Sequence, residues 1–130
     1  TLLWLAAFRK LGIPIDSEQE VARMLYDSGG PARLRMLFLV LVVAPVFEEI
    51  FYRRLLFNLL LPLGGLAAFV FTAVIFSLSH NFAAGIPALL LLGLVFQYTY
   101  CKNGDILYPI IFHMLFNFSN TLMIIFFGTI

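Results

Sequence analysis

The chain is 130 residues long, 62% hydrophobic and only 12% charged, with a net charge of +1, against roughly 45–50% apolar and 25% charged residues in a soluble domain. This composition excludes a water-soluble globular fold and a basic footprint for nucleic acid, and it implies an integral membrane protein of one domain's length. A single cysteine, Cys101, excludes an internal disulfide and any multi-cysteine metal site.

In chain order, TLLWLAAFRK reads as the interfacial end of an earlier span, because Trp4, Arg9 and Lys10 are typical boundary residues. The chain is therefore expected to be a piece of a longer protein, with no signal peptide. Ser17 and Glu20 form a capping box, Val21, Met24 and Leu25 an apolar stripe, and Arg23 and Asp27 an i,i+4 pair, before Gly29-Gly30-Pro31 ends the segment. Residues 1–31 are thus expected to hold the upstream end and a short amphipathic interfacial helix, with residues 32–130 as the membrane core.

Four apolar spans are expected in that core: about Ala32 to Leu61, Leu66 to His80, Pro87 to Cys101 and Ile106 to Phe127. Pro62-Leu63-Gly64-Gly65, Gly85-Ile86-Pro87 and Asn103-Gly104-Asp105 separate them. The expected fold is all-α, a polytopic transmembrane helical bundle without internal repeats. Arg9, Lys10, Arg23, Arg33 and Arg35 precede the first span and only Lys102 lies on the opposite side, which favours a cytosolic start and a cytosolic C-terminus.

The stretch VFEEIFYRR interrupts this apolar chain with four charges, Glu48, Glu49, Arg53 and Arg54. At about 2.5–3.5 kcal/mol each they carry a gross insertion penalty of roughly 10–14 kcal/mol unless paired or hydrated. Glu49 and Arg53 stand at i,i+4 with the acid first, the favourable orientation for a pair. Glu48 points about 100° away around the helix and lacks that partner. Pro45 removes an N–H and should disrupt the bond to the Leu41 carbonyl, opening the helix one turn before the acids. Arg54 is expected to reach an interface.

Both histidines lie in other spans with polar companions at helical spacing: Thr72, Phe76, Ser79 and His80 in the second, and His113, Asn117, Asn120 and Thr121 in the fourth. Gln97, Tyr100 and Cys101 form a weaker stripe that reads as packing glue. Two acids, two histidines and an asparagine on three spans make the inventory of a buried polar site. Glu48 could act as general base with His80 aligning a water, and His113 and Asn117 could donate to an oxyanion, which points to amide hydrolysis.

The motifs E-E-x-x-x-R (Glu48, Glu49, Arg53), F-x-x-x-H (Phe76, His80) and H-x-x-x-N (His113, Asn117), in this order on separate spans, closely resemble those of the CAAX prenyl protease and bacteriocin-processing (CPBP, or ABI) family of intramembrane proteases. The match covers about residues 35 to 127. The resemblance implies glutamate-dependent proteolysis without a cofactor: Glu48 and His80 activate water, His113 and Asn117 form the oxyanion site, and Glu49 with Arg53 organises the helix. It also implies a membrane-bound peptide or protein substrate, prenylated in eukaryotic members and more varied in bacterial ones, some linked to bacteriocin immunity. The location implied is a cytoplasmic or endoplasmic-reticulum membrane. Three alternatives stand beside it. One is a zinc peptidase with Glu48 or Glu49, His80 and His113 as ligands; the others are a non-catalytic scaffold or immunity factor and an ion pathway. A simple ruler puts Glu48 about 15 Å deep and the two histidines about 10 Å or more apart along the membrane normal, so straight parallel helices would not assemble the site. Strong tilt, a bend at Pro45 or a second helix beginning inside the membrane is expected to bring them together.

Overall fold

In the computed structural model, which describes residues 29–127 together with Met24 and Asp27, no strand occurs among the described residues. The expected interfacial helix, with its capping box and Arg23 pairing, and the boundary residues Trp4, Arg9 and Lys10 fall outside them.

The first helix, α1, is continuous but changes its winding. It is α-helical over Gly30–Phe38, π-helical over Leu39–Val43, α-helical over Ala44–Glu49, π-helical over Ile50–Leu56 and α-helical over Phe57–Leu60, and closes in a 3-10 turn over Leu61–Leu63. Pro31 sits in its first turn, where a missing N–H costs nothing. Pro45 sits in its interior, where the same loss must be absorbed. Ala44 donates its N–H to the Leu39 carbonyl, five residues back, and in that register the donor facing the Val40 carbonyl would be residue 45, a proline. The carbonyl deprived of its partner is therefore that of Val40, one residue earlier than the α-helical spacing predicts. A widened turn of this kind is a recognised form of helix distortion, frequent near functional sites.

Gly64, with φ +106°, separates α1 from α2 (Gly65–Ser79) in a backbone region that glycine tolerates and side chains do not. After a short connection, α3 spans Ile86–Asn103 with Pro87 in its first turn, and α4 spans Leu107–Phe127. Gly104 caps α3 in the left-handed conformation, its N–H 2.8 Å from the Tyr100 carbonyl, and Asp105 Oδ1 accepts the Leu107 N–H at 2.9 Å to start α4. These breaks fall within a turn of the expected ones.

Two segments are long and apolar enough to cross a bilayer, Ala83–Asn103 and Leu107–Phe126, and only 33% and 22% of their apolar windows are buried. That much exposed apolar surface suits lipid better than water. The 15-residue α2 is shorter, and α1 carries its charges in mid-helix.

The centre of the packing lies where α2 and α3 meet. A Cβ on Gly93 would come within 3.0 Å of Phe76 Cδ1 and 3.2 Å of the Ala73 backbone, so the missing side chain is what allows the two helices their close approach. Around this point Tyr52, Phe76, Leu89 and Phe96 form the buried cluster.

Candidate active site

Glu48 and Glu49 occupy the last positions of the α-helical stretch between the two π-helical ones. Their environments differ. Glu49 is fully buried, and its Oε2 accepts the Arg53 Nε–H at 2.8 Å, the i,i+4 pair that the spacing predicts. Its Oε1 lies 2.9 Å from His113 Nδ1 on α4. The side chain of Glu48 is one-third exposed, and its Oε2 is buried with no hydrogen-bond partner among the described residues.

That unpartnered oxygen faces two imidazoles. His80 Nε2 stands 3.8 Å from Glu48 Oε2, and His113 Nε2 stands 3.9 Å from the same atom. Both separations exceed hydrogen-bonding distance, and one bridging water can span either of them. The other ring nitrogens are committed. His80 Nδ1 lies 2.7 Å from the Phe76 carbonyl, which can only accept, so Nδ1 carries the proton and Nε2 of the neutral ring is an acceptor. The same logic at Glu49 assigns a proton to His113 Nδ1.

Three helices therefore deliver their polar groups to one place. The winding of α1 changes on both sides of the acids, and α2 ends at Ser79 so that His80 caps the helix beside α1.

Arg53 anchors the far side. It is fully buried, and its Cζ lies 5.1 Å from the centre of the Phe76 ring and 5.8 Å from those of Tyr52 and Phe96. Its terminal nitrogens have no hydrogen-bond partner among the described residues, so the guanidinium rests on ring faces as well as on Glu49. Phe76 is the hub of this layer. Besides Arg53, it touches Tyr52, His80, Phe96 and His113 with ring centres 4.6 to 6.1 Å apart.

Asn117 lies one turn beyond His113, and its Nδ2 donates to the Val40 carbonyl at 2.9 Å. This is the carbonyl left without a ladder donor by Pro45. Of the other polar residues in the stripes, Thr72, Gln97 and Thr121 are buried and Asn120 is exposed. Gln97 Nε2 makes a weak contact to Cys101 Sγ at 3.4 Å. Arg54 is exposed, and its carbonyl accepts the Asn58 amide at 2.6 Å. Among the described residues no group of three His, Cys, Asp or Glu side chains is placed to hold a metal ion.

Two contributors escape a reading of the sequence, Phe96 and Tyr52, and a third, Ser79, shows there only as a member of a polar stripe. Phe96 stacks on His113 with ring centres 4.8 Å apart and planes 29° from parallel, but nothing distinguishes it among 15 phenylalanines. Tyr52 donates its hydroxyl to Ser79 Oγ at 2.6 Å, linking α1 to the end of α2. The signal for Tyr52 was its i,i+4 spacing from Glu48; for Ser79 it was only a place in a polar stripe.

Fold and site together define a helical membrane protein with one cluster of ionisable groups, Glu48, Glu49, Arg53, His80 and His113, gathered inside an otherwise apolar bundle. Residues 30–119, which contain all seven motif residues, match the family described as type II CAAX prenyl endopeptidase Rce1-like, and the chain belongs to that family. It is thereby, in general terms, a CAAX-protease-like intramembrane endopeptidase. No curated protein and no solved structure matches the chain.

Proposed function

We propose that this chain hydrolyses a peptide bond of a membrane-bound substrate with a water activated by Glu48 and His80. The observation that carries this reading is the approach of both imidazole Nε2 atoms to a single, otherwise unpartnered carboxylate oxygen, at 3.8 and 3.9 Å. A water there donates one proton to Glu48 and the other to the His80 Nε2 lone pair, which leaves its own lone pair directed at the substrate. Glu48 takes the proton as the water oxygen adds to the scissile carbonyl carbon. It then returns the proton to the leaving nitrogen as the C–N bond breaks. One water is consumed, its second proton stays with the new carboxyl group, and an amine and a carboxylic acid result, which separate as ammonium and carboxylate once that proton passes between them.

Charge that develops on the carbonyl oxygen needs donors, each worth about 2.7–4 kcal/mol in comparable sites. His113 has one proton committed to Glu49, so it donates from Nε2 only as a doubly protonated ring. Asn117 spends one amide proton on Val40 and retains a second for the substrate. Glu49 and Arg53 hold the geometry without touching the substrate, and Phe76 supports both rings. In this reading the protein crosses the membrane several times and acts on a peptide or protein reaching the site from the lipid.

The test is cleavage by the purified protein in liposomes, assayed against prenylated and unprenylated peptide libraries with products identified by mass. Cleavage that survives phenanthroline supports water activation by protein groups alone. Cleavage of no peptide, or loss of activity to the chelator with recovery on adding zinc, would contradict it.

A further inference from the structure

We propose that Tyr52 and Ser79 form a clamp that sets the gap between Glu48 and His80, a positioning role that rests on the peptidase reading above. Glu48 and Tyr52 are one turn apart on α1 and face the same neighbour, the C-terminal turn of α2. Tyr52 donates its hydroxyl to Ser79 Oγ at 2.6 Å, and Ser79 Oγ in turn donates to the Phe76 carbonyl at 2.8 Å. That same carbonyl accepts His80 Nδ1–H at 2.7 Å. One acceptor thus ties the tyrosine of α1 to the imidazole of α2.

The tie falls where α2 is weakest. Phe76 begins the last turn, where the backbone donors converge on one acceptor: the His80 and Asn81 N–H groups both reach the Leu78 carbonyl. Directly after His80 the chain turns away through Asn81, a non-glycine residue with φ +48°. A helix end of this kind frays unless it is held. The Tyr52 ring is held in turn, 7% exposed and edge-on to Phe76 with centres 5.2 Å apart, so its hydroxyl is a fixed point on α1. The Glu48–His80 separation of 3.8 Å is one turn from this fixed point. Neither hydroxyl carries charge or faces Glu48 directly, so both residues position the site and do not react.

The conservative variants are Tyr52→Phe, which keeps the ring packing, Ser79→Ala, and the double variant, each assayed in liposomes. Each single change lowers kcat about tenfold with KM nearly unchanged, as loss of one hydrogen bond and a small displacement imply. The double variant is no worse than the weaker single variant, because one shared contact is lost only once. A second readout needs no substrate. In protein labelled with ¹⁵N-histidine, the His80 Nδ1–H exchanges with solvent faster in Tyr52→Phe than in wild type. Unchanged kcat and exchange in Tyr52→Phe would overturn the clamp, as would fully additive losses in the double variant. If wild type cleaves nothing, the peptidase reading fails, while the exchange rate still decides the clamp.

Discussion

Glu49 and His113 stand 64 residues apart in the chain, yet Glu49 Oε1 and His113 Nδ1 meet at 2.9 Å. The other oxygen of the same carboxylate holds Arg53 Nε at 2.8 Å. One buried acid therefore fixes the register of α4 against α1 and the place of the only fully buried cation among the described residues. Glu49→Gln puts an amide N–H against one of two N–H donors and leaves Arg53 without a counter-charge. The expected cost is about 3–5 kcal/mol, as for other broken buried pairs, read as a large fall in melting temperature in detergent. Arg53→Lys in the wild-type chain is destabilising as well, because an ammonium cannot lie flat against three rings while holding Glu49.

The two histidines separate by stability. His113 is buried and satisfies Glu49, so His113→Ala orphans a buried carboxylate oxygen at a cost of about 1–3 kcal/mol. The His80 side chain is 23% exposed and its carbonyl partner keeps the Ser79 bond, so His80→Ala costs less than about 1 kcal/mol. Both variants lose cleavage activity. Paired melting and activity measurements check the contrast.

Asn117 and Pro45 should be coupled although they lie on different helices. In wild type, Asn117→Ala leaves the Val40 carbonyl unpaired at a cost of about 1–2 kcal/mol. In a Pro45→Ala background, the substituted residue offers the backbone N–H that the proline withholds, and the same Asn117 change costs at least about 0.5 kcal/mol less. A double-mutant cycle on melting free energy measures the difference.

What the sequence conveys about this molecule follows from what periodicity can carry. The breaks at Gly64 and Gly104, the Glu49–Arg53 pair and the unpaired state of Glu48 are local, set by spacing within one helix and by turn chemistry. Contacts between helices depend on the rotation of one helix against another, which a 3.6-residue pattern leaves open. Hence the second bond of Glu49, the stacking of Phe96 on His113 and the Tyr52–Ser79 link became visible only in three dimensions. The π-helical stretches are silent for a different reason. The run from Leu39 to Val43 is compatible with ordinary α-helix, and only Pro45 two residues later hints at a displaced register. That displacement moves the orphaned carbonyl from Leu41 to Val40 and gives Asn117 a structural bond as well as its proposed role at the substrate.

Gly93 tests the packing beneath the site. Gly93→Ala presses a methyl against Phe76 and the Ala73 backbone at 3.0 to 3.2 Å, and overpacking of this kind costs about 1–3 kcal/mol. Phe76 contacts both imidazoles, so activity falls along with the melting temperature. A compensating Phe76→Leu in the same chain recovers part of the stability and none of the activity.

The central claim is that Glu48 is held ready for a proton and does not serve the fold. Its Oε2 is buried and has no hydrogen-bond partner among the described residues, so Glu48→Gln breaks no hydrogen bond of the fold while keeping the side chain's shape. The decisive measurement is kcat and melting temperature for this one variant in the same liposome or detergent preparation. The expected result is a loss of kcat of at least about 10²-fold with a melting temperature equal to or above that of wild type. Cleavage at the wild-type rate, or a variant inactive only because it has unfolded, would contradict the claim.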